Sequence, residues 1–117
     1  MRRSLQALGR LKPGQMNKTE KRYDEHLDAL LHHGVIAWYK FEGITLKLAP
    51  DCRLTVDFAV MTADGLIEMH DVKGSPHVFT DDAKVKMKVA ASAFPFVFKV
   101  AFPLPAKDGG GWRVETI

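Results

Sequence analysis

Apolar residues recur at helical spacing between Tyr23 and Leu31: Tyr23, Leu27, Leu30 and Leu31 fall on one stripe. Asn17 stands ahead of it as an N-cap, and Glu20 occupies the partner position of a capping box. Gly34 closes the helix. From Val35 the period changes. Residues 35–41 are aromatic and β-branched, residues 44–48 alternate apolar and polar, and residues 53–61 and 66–73 form two further strand-like runs. Turns fall at Gly43, at Ala49-Pro50-Asp51, at Thr62-Ala63-Asp64-Gly65 and at Gly74-Ser75-Pro76. Thr80-Asp81-Asp82 then starts a second helix, a hydroxyl cap followed by acids suited to the positive end of the dipole. Ala83, Met87, Ala90, Ala91 and Phe94 share one face of that helix, and Pro95 ends it. Residues 96–102 read as a strand, 103–111 as a loop and 112–116 as an edge strand. The pattern predicts one mixed α/β domain over residues 17–117, behind an arm of residues 1–16.

The hairpin predicted between residues 53–61 and 66–73 places an acid inside each apolar strand, Asp57 in one and Asp71 in the other. Side chains alternate along a strand, so Asp71 and Lys73 share a face with Ile67 and Met69, while Glu68 and His70 point the other way. A three-residue loop, Ala63-Asp64-Gly65, puts glycine at the left-handed position such loops require. Asp57 and Asp71 are equally far from Asp64 along the chain, so in that register they are direct cross-strand neighbours. A two-residue Asp64-Gly65 loop is the other register, and it separates them onto opposite faces. Like charges directly opposite destabilise a sheet. A hard divalent cation, Mg²⁺ or Mn²⁺, neutralises such a pair, and Lys73 beside it would supply a cation for developing phosphoryl charge or position the attacking water. The plainer alternative is a surface hairpin whose acids pair with Lys73 and neighbouring lysines.

Charge adds a partner class. The 117 residues carry a net charge of +3, but residues 1–22 hold seven basic side chains (Arg2, Arg3, Arg10, Lys12, Lys18, Lys21 and Arg22) against one acid, Glu20, leaving the remainder at −3. A basic arm ahead of a mildly acidic body suits a polyanion such as DNA, through Coulomb attraction and counterion release. Lys84 and Lys88, one turn apart on the second helix, are candidate phosphate contacts, with Lys86 on a different face. The single cysteine, Cys52, excludes an internal disulfide framework and fits a reducing, cytoplasmic setting. No apolar run reaches the roughly 20 residues that span a bilayer. The glycine run at 109–111 lacks the Lys-Ser/Thr of a nucleotide-binding loop.

Several words carry a family resemblance: Asn17-Lys-Thr-Glu20, Trp38-Tyr-Lys-Phe-Glu42, Thr55-Val-Asp57-Phe, Asp71-Val-Lys73-Gly74, and the run from Asp82 to Ala91. Together they resemble the PD-(D/E)XK nuclease superfamily. They are closest in character to small phage-borne nuclease-like proteins, and the layout is similar to Holliday-junction resolvases of the phage endonuclease I type. Val56 stands where the family's usual proline would be. The resemblance implies a restriction-endonuclease-like core, a central mixed β-sheet flanked by helices. It implies a metal held by Asp57, Asp71 and the backbone carbonyl of Val72, with Lys73 as catalytic cation and Glu20 as a further acid, Glu42 being the other candidate. It also implies Mg²⁺-dependent hydrolysis of DNA, leaving 5′-phosphate and 3′-hydroxyl ends. A branched or structured substrate, a homodimer and the cytoplasm of a bacterial host complete the expectation. A non-catalytic DNA-binding module of the same fold, or a nuclease acting on RNA, are the alternatives. Arg2, Arg3, Lys18, Lys21, Lys84 and Lys88 are the candidate DNA contacts.

Overall fold

Asn17 caps helix α1 (Lys18–His32) from both sides: its side chain accepts from the Glu20 N–H at 2.8 Å, and the Glu20 carboxylate accepts from the Asn17 N–H at 2.9 Å. This is the reciprocal capping box that the sequence spacing predicts. The computed structural model describes residues 14–117. Most of the basic arm, with Arg2, Arg3, Arg10 and Lys12, lies outside the described residues. Among the described residues seven strands follow or flank the helices: β1 (Ile36–Phe41), β2 (Thr45–Ala49), β3 (Cys52–Thr55), β4 (Phe58–Thr62), β5 (Ile67–Val72), β6 (Val97–Pro103) and β7 (Trp112–Thr116). Helix α2 (Asp81–Ala93) crosses between β5 and β6, with Thr80 as its cap.

The architecture is α/β. Five strands form one mixed sheet in the order β1-β4-β5-β6-β7, in which β5 and β6 are parallel and the other neighbours antiparallel. Parallel neighbours need a long crossover, and α2 supplies it. Each face of the sheet buries its own cluster. Tyr23 and Leu27 of α1 pack with Phe58, Val60, Val72 and Ala101 on one side. Met87 and Ala90 of α2 pack with Ala59, Met69, Phe98, Val100 and Phe102 on the other. The two stripes read from the sequence are thus the two helix faces that sandwich the sheet.

One expected strand is two. Residues 53–61 do not run as a single strand: the chain breaks at Val56 and Asp57, and β3 pairs with β2 in a separate two-stranded sheet. Val56 is 1% exposed and joins the α2-side core beside Leu46 of β2. The period-2 pattern continues smoothly through the break. What ends the strand is tertiary, because the β2–β3 hairpin folds toward α2 and takes Val56 with it.

The register of β4 and β5 follows the three-residue loop. Phe58 faces His70 and Met61 faces Ile67, the Thr62 N–H donates to the Leu66 carbonyl at 2.8 Å, and Gly65 has φ +89°. A Cβ added at Gly65 would meet no atom within 4 Å, so Gly65→Ala carries only the backbone cost of a left-handed residue. That substitution lowers the unfolding free energy by about 1–2 kcal/mol. Urea denaturation checks it, and an unchanged midpoint would contradict the left-handed assignment.

Candidate active site

The break that ends β3 places Asp57 where the two sheets part. Its own carbonyl accepts from the Glu42 N–H at 2.7 Å, and its Oδ2 accepts from the Val72 N–H at 2.7 Å. Asp57 is therefore not the ladder residue that the sequence pattern predicts; it stands one position beyond the first β4–β5 pair, still on the line that faces Asp71. On β5, Asp71 projects from the α2 face. Lys73 follows the end of the strand, and its N–H donates to the Ala101 carbonyl at 3.0 Å, continuing the parallel pairing with β6. Its ammonium meets Asp71 Oδ2 at 3.0 Å.

These three side chains line one cleft of about 280 Å³, walled by Leu54 and Thr55 of β3 and by Ala83, Lys86 and Met87 of α2. Asp57 and Asp71 thus lie on the same side of the sheet and line the same cleft. Burial pushes the Asp57 carboxyl well above the usual carboxylate range, and the negative charge of Asp71 and, more weakly, that of Glu20 push it further. The Val72 N–H opposes this shift without overcoming it.

The remaining candidates fall elsewhere. Glu20 is engaged in the capping box, and it reaches Asp57 as a nearby charge rather than as part of the cleft lining. The Glu42 carboxylate accepts from the Gly14 N–H at 3.0 Å, and its backbone adopts φ +49°. Lys18 and Lys21 are exposed at the start of α1 and do not line the cleft. Lys84 and Lys88 turn to the other flank of α2, and Lys86, which spacing ranked below them, is the α2 lysine at the carboxylates. A helix advances about 100° per residue, so Lys86 lies on the flank opposite both. Its place three residues after the inward Ala83 was the available signal.

On the other face, His70 is buried at 6% exposure between the Tyr23 hydroxyl (2.6 Å to Nδ1) and Glu68 (2.8 Å to Nε2), and Lys99 pairs with Glu68 at 3.2 Å. That fully partnered chain joins α1 to β5 and faces away from the cleft. Trp38 is partly exposed on β1, whereas Tyr39 and Phe41 pack against the α1-side core.

Among the described residues, no group of three or more His, Cys, Asp or Glu side chains is arranged to hold a metal. Two carboxylates are a sufficient protein contribution for Mg²⁺, which binds through one or two of them and keeps several waters. The proton that Asp57 retains beside Asp71 marks a charge deficit that a hard cation would fill, so the donor set fits such an ion. Comparison with protein-family models, curated proteins and solved structures yields no match.

Asp57 holds its proton more tightly when folded than in the unfolded chain, where its pKa is about 3.9. Folding is therefore favoured by this group at low pH, and the contribution is lost as pH rises through the raised folded value. Asp57→Asn imitates the protonated form. In metal-free buffer at pH 8 it raises Tm by about 4 °C or more, the effect of 1 kcal/mol in a domain near this size, and the difference closes toward pH 4. A thermal melt series checks this, and a destabilised variant at pH 8 would contradict the charge deficit.

Proposed function

We propose that the cleft of Asp57, Asp71 and Lys73 is the active site of a metal-dependent nuclease that hydrolyses DNA phosphodiester bonds, on a restriction-endonuclease-like core. One observation carries the reading: two carboxyl groups from different sheet segments converge on one side of the sheet, with an ammonium at 3.0 Å from one of them. Asp57 and Asp71 would hold Mg²⁺ or Mn²⁺. Such an ion supplies charge neutralisation at the phosphoryl group and lowers the pKa of a bound water.

The chain's own groups do the rest. Asp57 would hold the cation as a carboxylate, its proton released to solvent, and the Val72 N–H keeps its Oδ2 in place. Lys73 exchanges part of its contact with Asp71 for a phosphoryl oxygen, where its charge counts most as negative charge develops. Lys86, half-buried on the opposite wall, contributes a second cation facing the same space. The basic side chains near the N-terminus draw the polyanion in without reading sequence. Among the described residues the cleft offers no separate base-reading element, so a substrate chosen by shape, such as branched DNA, and a homodimer bringing two clefts to one junction, follow from the same reading.

The Asp71–Lys73 ion pair also favours a second reading. With Lys73 balancing Asp71 and a proton retained on Asp57, the cleft is stable without a metal, as in a DNA-binding module that has no hydrolytic activity. Incubation of supercoiled plasmid and a synthetic four-way junction with Mg²⁺ or Mn²⁺ separates the two. The parent protein cuts, and Lys73→Ala loses at least about 100-fold in rate, the scale of removing one stabilising group from developing charge. Binding without cutting in both proteins would replace the nuclease with the module.

A further inference from the structure

Helix α2 has a second basic flank. Lys84 and Lys88, together with Arg113 of β7, line a groove of about 320 Å³ floored by Pro76, Phe79 and Phe102. Two of the three cations are held over aromatic rings: the Lys84 ammonium is 5.5 Å from the Phe79 ring centroid, and the Arg113 guanidinium is 5.4 Å from that of Phe102. Such stacking restrains long side chains that would otherwise sample many rotamers, so less entropy is lost when they bind. Glu115 also lines the groove and pairs with Arg113 at 2.7 Å. That pair is half exposed and therefore weak, open to exchange for another anion. Among the described residues Lys84 and Lys88 have no carboxylate within ion-pair distance, and cations one turn apart on a helix repel.

We infer that this groove is a second phosphate-binding site for the nucleic-acid backbone, so that α2 lies between two backbone segments, one at the carboxylate cleft beside Lys86 and one at Lys84, Lys88 and Arg113. The inference rests on the nucleic-acid reading of the neighbouring cleft, though not on its catalysis. A helix with its side chains is about 10–12 Å across, and the major groove of B-DNA, about 12 Å wide, admits one. Between its two flanks α2 carries Val85 and Val89, 60% and 44% exposed, which also border the β2–β3 hairpin at Leu48, Ala49 and Cys52. Asp82 at the start of the helix sets the end from which a backbone is repelled.

The test is duplex binding without divalent metal, read by fluorescence anisotropy across a salt series. The proteins are the parent, Lys84→Ala/Lys88→Ala, and a control, Lys47→Ala/Lys107→Ala, which removes the same charge from exposed positions outside both grooves. The slope of log affinity against log salt shrinks by about 0.9 for each of Lys84 and Lys88 removed, while the control keeps the parent's slope. An unchanged slope, an equal loss in the control, or no binding by the parent overturns the inference. A four-way junction built from the same duplex arms, incubated with Mg²⁺, keeps the two readings apart. A parent that binds through this groove but never cuts removes the nuclease and leaves the groove, and a parent that cuts while the slope is unchanged removes the groove alone.

Discussion

Two carboxyl groups forced together in a half-buried cleft cannot both ionise without a countercharge, and this constraint organises the cleft around Asp57 and Asp71. Lys73 answers for one of them. The other keeps its proton, held there by burial and by its neighbour's charge. A structure that served only its own stability would gain by replacing one of these acids with a neutral side chain. Retaining both is a cost that a bound cation would offset, and on the proposed reading that cost is the physical link between the sheet and phosphodiester chemistry.

The backbone meets the constraint with three devices. Gly65 fixes the loop that sets β4 against β5, so position 57 comes level with position 71. The break at Val56 and Asp57 then frees the Asp57 side chain from the ladder and lets it accept from the Val72 N–H. Finally, the parallel pairing of β5 with β6 carries Lys73 past the end of its strand while keeping its backbone anchored to Ala101. Across the sheet, the Tyr23–His70–Glu68–Lys99 chain holds α1 against the back of β5.

Much of this was legible in the residues, and the gaps have physical causes. The capping box at Asn17 and Glu20, the Thr80 cap and the glycine of the hairpin are local devices whose chemistry is written in a few adjacent positions. The convergence of Asp57 and Asp71 followed from one of the two registers that the turn allowed. The split of residues 53–61 was not legible, because alternation is unchanged across it and the decision is made by the packing of Val56 under α2. The division of the α2 lysines was half legible. Periodicity separates Lys86 from Lys84 and Lys88, but which flank meets the carboxylates depends on how the crossover docks. Arg113 joins Lys84 only through the pairing of β7 with β6, a contact between segments distant in the chain.

The most direct test of the shared-cation claim is anomalous diffraction from crystals of the protein soaked in Mn²⁺. The account predicts a peak between the Asp57 and Asp71 carboxylates, within metal–oxygen bonding distance of both, and Lys73 drawn away from Asp71. A cleft without a peak at saturating Mn²⁺, with the Asp71–Lys73 contact intact, would contradict it.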